Sequence, residues 1–144
     1  MGAVTVFDIL VTPLTRVAVA GGDVLHAMKR SDVGYVDFGE AYFSLIEEGA
    51  TKAWKRHLRM TLNLVMPIGS AKFVFMDDGG RFREEVIGVD RYVRLTVPPG
   101  IWFGFQGLTK PHSLLLNIAD IRHDPDEIER KGLVETDYVW GIEQ

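Results

Sequence analysis

Between positions 52 and 57 the chain places Lys52, Lys55, Arg56 and His57, in a strand-like run that ends at a tight turn near Gly69. Period-2 alternation puts Lys52, Trp54 and Arg56 on one strand face and Ala53, Lys55 and His57 on the other. If the second face points into a barrel, a cation lies beside an imidazole. Burying such groups unpaired is costly, so this arrangement implies acidic partners or an anionic ligand. A lysine crowded by cations gives up its proton more readily, and histidine exchanges one near neutral pH. Either Lys55 or His57 therefore has the chemistry of a base. The alternative is a solvated edge face, because lysine and arginine are seldom buried.

A second segment, residues 94–106, repeats the pattern. It gathers Trp102, Phe103 and Phe105 around Gly104, where a backbone or a ligand can approach closely. These aromatics either stack on a base or sugar face or belong to the core. Asn117 is the only amide in the apolar run 113–119. It must find partners, so it either knits strands together or points at a ligand.

Such residues need strands to hold them. Fifteen glycines and six prolines cut the chain into short pieces rich in Val, Ile, Phe, Tyr and Thr. Strands are expected at 15–19, 35–44, 52–57, 61–66, 71–77, 85–89, 92–97, 101–106 and 113–119, with turns at 21–22, 48–49, 67–69, 78–80 and 98–100. A spacing of roughly eight to twelve residues indicates a sandwich or closed barrel. Asp78-Gly79-Gly80 is the clearest hairpin signal. Residues 23–30 read either as a short helix or as a strand running into a loop. Over 124–130, the N-cap candidate Asp124, first-turn Pro125 and acids near the positive end of the dipole predict a short helix.

Composition limits the partners. A chain of 144 residues, 47% hydrophobic, has material for one core, so a single domain over 1–144 is expected. The net charge is −4 and the 16 Lys and Arg residues are scattered, so no nucleic acid partner is expected. No run reaches membrane-helix length, and residues 1–10 lack the charged start and cleavage site of a signal peptide, so neither a membrane nor export is expected. With no cysteine, the chain fits a reducing compartment, and the expected location is the cytoplasm.

Metal chemistry is not expected. Metal-binding cupins carry histidines on one strand pair and a further histidine after a later Pro-x-Gly turn. Here the first segment offers His57 flanked by Arg56 and Arg59, and Phe103 stands at the later position. One imidazole among cations is a poor cation site. His26, His112 and His123 read as surface residues.

The order of several motifs over 23–140 resembles the dTDP-4-dehydrorhamnose 3,5-epimerases, metal-free cupin-fold enzymes of activated-sugar biosynthesis. The motifs are Phe38-Gly39-Glu40-Ala41-Tyr42-Phe43-Ser44, the stretch 49–69, the stretch 95–106 with its Pro-x-Gly and Gly-Phe elements, Asp124-Pro125-Asp126-Glu127, and Asp137-Tyr138-Val139-Trp140. The resemblance implies an all-β, cupin-type double-stranded β-helix (a jelly-roll barrel) with no cofactor. It also implies a homodimer that exchanges N-terminal strands, for which the apolar segment 4–11 is suited. In that family a histidine base, helped by an aspartate, removes the proton next to a sugar ketone, and a tyrosine returns one from the other face. Aligning the motifs puts Lys55 at the base, His57 two residues later in place of a glutamine, and Asn117 at the tyrosine. Lys52 takes the place of a phosphate-contacting arginine, and Asn63 that of a lysine near the enolate oxygen.

Two functions follow. The first is a nucleotide-sugar epimerase or isomerase for cell-surface polysaccharide biosynthesis, in which Lys55 or His57 abstracts the proton next to a 4-keto group. Lys52 and Arg59 would hold the diphosphate, Asn63 and Asn117 would bond the enolate, and Trp102, Phe105 and Gln106 would contact sugar or base. Tyr42, Tyr92 and His112 are the candidates for its missing acid. The second is a catalytically inactive cupin that binds a nucleotide sugar or a protein partner.

Overall fold

The Val-, Ile- and Phe-rich pieces form strands because β-branched and aromatic side chains suit a pleated, half-buried surface. A computed structural model describes residues 2–141. In chain order its strands are β1 (Leu10–Pro13), β2 (Arg16–Val17), β3 (Val24–Leu25), β4 (Glu40–Glu47), β5 (Thr51–His57), β6 (Leu62–Ile68), β7 (Ser70–Met76), β8 (Phe82–Gly88), β9 (Val93–Val97), β10 (Trp102–Gly107), β11 (His112–Ala119) and β12 (Ile128–Arg130). Two five-stranded antiparallel sheets have the orders β1-β9-β6-β11-β4 and β12-β5-β10-β7-β8, and β2 and β3 form a separate ribbon. Most sheet neighbours are distant in sequence, which is the winding of a jelly-roll barrel.

Alternate residues of the two sheets meet between them. Leu62, Leu64 and Met66 of β6 and Leu95 of β9 pack with Phe73 and Phe75 of β7, Phe103 and Phe105 of β10 and Leu115 of β11. The second sheet is also covered on its outer face, where Trp54, Val74, Met76, Trp102 and Trp140 form another buried cluster with Tyr138 packed against it. Burial on both faces is why β7 and β10 read as nearly continuous apolar runs.

The hairpin at 78–80 forms as expected. Gly80 has φ +81°, and the buried Asp77 carboxylate ties the turn together by accepting from Gly79 N and Arg81 N at 3.0 and 3.1 Å. Several boundaries differ. Of the expected strand 35–44, the first five residues are loop and the strand begins at Glu40. Residues 23–30 contribute only the two-residue β3.

The expected C-terminal helix is a single 3-10 turn, Pro125–Glu127, capped by Asp124, whose carboxylate accepts from Asp126 N at 3.0 Å. The chain then turns extended, and β12 pairs with the open edge of β5. Edge pairing satisfies its backbone better than another helical turn. At the other terminus β1 pairs with β9 of its own chain, Leu10 opposite Thr96 and Pro13 opposite Val93. Pro13, which has no N–H to donate, lies at the end of this edge strand.

Candidate active site

A bulge in β5 sets the geometry of the site. Across β5 and β10, Phe103 faces Lys55, Gly104 faces Ala53 and Phe105 faces Lys52, so Trp54 is the extra residue. Opposed residues in an antiparallel pair share a face. Lys52 and Lys55, three apart, thus both point inward with Phe103 and Phe105, while strict alternation would have put them on opposite faces. Gly104 makes the bulge possible, since a Cβ there would lie 2.3 Å from the Ala53 Cβ.

The result is a cavity of about 410 Å³. One wall carries Lys52 and Lys55 from β5 and Arg130 and Lys131 from the end of β12 and just beyond, Phe103 and Phe105 line the cavity as well, and Tyr42, Ser44 and Asn117 come from β4 and β11 of the other sheet. Four cations and no carboxylate line it. Lys52 is held at the rim, Nζ donating to Leu45 O at 3.0 Å. Burial, reinforced by Arg130 across the strand pair, holds the Lys55 ammonium below the ordinary lysine range, with Glu127 opposing. Opposite it, burial and the nearby Glu40 push the Tyr42 phenol above its usual value, so it stays a proton donor.

Asn117 knits strands together at the edge of the cavity. It lines the cavity, and its Nδ2 donates to Ser44 Oγ at 3.1 Å and Tyr42 O at 3.4 Å, joining β11 to β4. Phe105 and Lys52 also fall where the sequence put them. His57 does not reach the lining. It is buried behind Phe103, its ring centroid 6.2 Å from that ring, with Nδ1 2.5 Å from Glu127 Oε2. The other oxygen of Glu127 accepts from Arg59 N and Met60 N at 2.9 and 3.1 Å. Burial keeps the imidazole below its usual range, against the pull of Glu127, and so neutral with Nδ1–H donating.

Four other expected contacts lie elsewhere. Asn63 stands on the outer face of the first sheet, donating to Gly34 O at 3.1 Å and accepting from Thr96 Oγ1 at 2.6 Å. Pairing it with Ile118, an outward residue of β11, sends it away from the lumen. Arg59 is on the surface, paired with Asp124 at 2.6 Å. Trp102 lies outside the second sheet, with Arg56 and Lys131 4.7 and 4.6 Å from its ring. Gln106 is buried, with Nε2 donating to Thr51 Oγ1 at 2.9 Å. Among the described residues, no three His, Asp or Glu side chains converge as a metal site.

The residues missed by sequence reasoning are Arg130, Lys131, Ser44 and Glu127, and Tyr42 was only one of three candidate acids. Arg130 was hidden by the helix expectation. Tyr42 had a positional signal, because it is the cross-strand partner of Asn117. Tyr42 thus places a phenol on the strand next to Asn117.

No family model matches the chain. A dTDP sugar isomerase from Desulfovibrio desulfuricans G20, known from its crystal structure, is 31% identical, with 92% of this chain and 90% of that one covered and a TM-score of 0.88. The chain belongs to the family of dTDP-sugar isomerases and epimerases. A protein of Haloferax volcanii described as a probable low-salt glycan biosynthesis epimerase is 29% identical over 102 residues, which span 64% of this chain and 65% of that relative. The dTDP-4-dehydrorhamnose 3,5-epimerase of Sulfolobus tokodaii shares the fold at 16% identity, TM-score 0.78, covering 90% and 80% of the two chains.

Proposed function

We propose that the chain isomerises or epimerises a nucleotide-linked deoxysugar by removing the proton next to a 4-keto group. The observation that carries this reading is the cavity lining, in which three other cations and no acid surround Lys55, and Tyr42 faces it from the other sheet. A diphosphate matches the charge, held by Lys52, Arg130 and Lys131. Phe103 and Phe105 pack on the sugar or base. The Lys55 amine takes the proton from carbon, and the electron pair moves to the ketone oxygen. That oxygen becomes an enolate, stabilised by the cations and by the Ser44 hydroxyl, whose lone pair is already engaged by Asn117. The Tyr42 phenol then delivers a proton to carbon. The product would serve glycan assembly, the role named for the Haloferax relative.

Solvent deuterium incorporation into a dTDP-4-keto-6-deoxysugar, followed by NMR, tests the reading. The wild-type chain should exchange the proton, and Lys55→Ala should slow exchange by about 10²–10⁴-fold, the usual contribution of a general base. If the wild type binds the sugar nucleotide but exchanges nothing, the chain is a binding module and the catalytic reading fails.

A homodimer is part of the same proposal. Phe43 and Leu45 of the edge strand β4 and Ile68 at the end of β6 are 64%, 56% and 58% exposed on the outer face of the first sheet, an apolar strip suited to a second copy. Light scattering at micromolar concentration should give twice the chain mass. No helix among the described residues is long and apolar enough to cross a membrane. The absence of cysteine is in keeping with a cytoplasmic location.

A further inference from the structure

On the outer face of the first sheet, Arg94 is wholly buried. Its Nη1 donates to Ala27 O at 2.9 Å and reaches Asp32 Oδ2 at 3.3 Å, its Nη2 donates to Val33 O at 2.8 Å, and its Nε has no hydrogen-bond partner. Beside it, between the end of β1 and the segment 26–33, is a cavity of about 310 Å³. Thr12, Thr15, His26 and Lys29 line this space with Arg94, and their side-chain polar atoms have no hydrogen-bond partners among the described residues.

Asp32 is the one carboxylate of the lining. It is already engaged by Arg94 and by Lys29 N, which donates to Oδ2 at 2.9 Å. Two hydroxyls, an imidazole and an ammonium therefore line a cavity beside a buried guanidinium, where the local charge is positive. The buried guanidinium adds positive potential beside the cavity, which favours an oxyanion there.

We infer that this cavity is an anion site separate from the barrel lumen, taking a tetrahedral oxyanion, either inorganic phosphate or the phosphate of a nucleotide. The anion bridges β1, β9 and the segment 26–33, and so fastens that segment to the sheet. The inference does not rest on the isomerase reading.

NMR titration of the full chain with inorganic phosphate at constant ionic strength tests it. Saturable shifts are expected at the amides of Thr15, Ala27 and Lys29, with the lumen followed separately through Lys52 and Lys55. Lys29→Ala combined with Thr15→Val should weaken that binding about tenfold, as expected for losing one charged hydrogen bond. Both side chains are exposed and make no hydrogen bond, and Lys29 acts on Asp32 only through space, so the variant should stay within a few degrees of the wild-type melting temperature without phosphate. A nucleoside monophosphate that binds more tightly at the same amides identifies the nucleotide as the ligand, and equal affinity identifies free phosphate. The inference is overturned by shifts confined to the lumen, by the absence of saturation, or by unchanged affinity in the double variant.

Discussion

Lys55 and Tyr42 oppose each other across the lumen with acid-base properties displaced in opposite directions. A base must be deprotonated and an acid protonated, so the exchange rate should rise with pH through a midpoint below the ordinary lysine value. It should fall again only above the ordinary tyrosine value. Arg130→Gln removes a cation that disfavours the Lys55 ammonium, so the rising limb should move to higher pH. Tyr42→Phe should abolish the falling limb and lower the rate of proton return. A pH–rate profile by deuterium exchange checks all three. The lysines were legible in the sequence because the cluster at 52–57 is so dense. Their common orientation was not, because period-2 reasoning has no place for the extra residue of a bulge.

Strand β5 is shaped by what packs beside it. Gly104→Val would drive a side chain into Ala53, and overpacking of this kind typically costs about 1–3 kcal/mol. If it straightens β5 instead, Lys52 and Lys55 separate. Either way, dTDP affinity measured by calorimetry should fall along with the melting temperature. Glu127→Ala leaves three donors unmet, His57 Nδ1–H and two backbone N–H groups, at about 1–3 kcal/mol each, so a loss of at least about 3 kcal/mol is expected in urea unfolding. Glycine and proline placement made most strands readable, and all nine expected strand segments overlap observed strands. The sequence 124–130 misled because its capping signals are genuine but sustain only one turn, while the open edge of β5 lies far away in sequence. Asn63 was misplaced for a related reason, since the face a strand residue takes depends on register with distant partners.

In the molecule as a whole, the N-terminal 3-10 turn Val6–Asp8 is bound to the β7–β8 hairpin by Arg83, whose Nη1 donates to Val6 O and Ile9 O at 2.8 and 3.1 Å, and by one buried carboxylate. Asp77 accepts from Val6 N at 3.0 Å and from Arg81 Nε at 2.9 Å. Burial opposes ionisation, but these donors outweigh it and hold the carboxyl down at about 2 from an ordinary 3.8. Its contribution is therefore complete above the ordinary value and is lost as pH falls from there towards about 2. Asp77→Asn should flatten that part of the acid-unfolding curve and lower stability at neutral pH by about 1–3 kcal/mol, read by circular dichroism.

All three tryptophans of the chain lie in the single cluster outside the second sheet, and Trp54 borders the proposed substrate cavity while Lys131 links that cavity to Trp102. The enzyme therefore carries its own optical gauge. Indole emission should respond to occupancy of the lumen and ignore events on the far sheet, so unlabelled protein in a fluorimeter can rank sugar nucleotides by affinity. A titration with dTDP that leaves the emission unaltered, under conditions where calorimetry registers binding, would show that the gauge is disconnected.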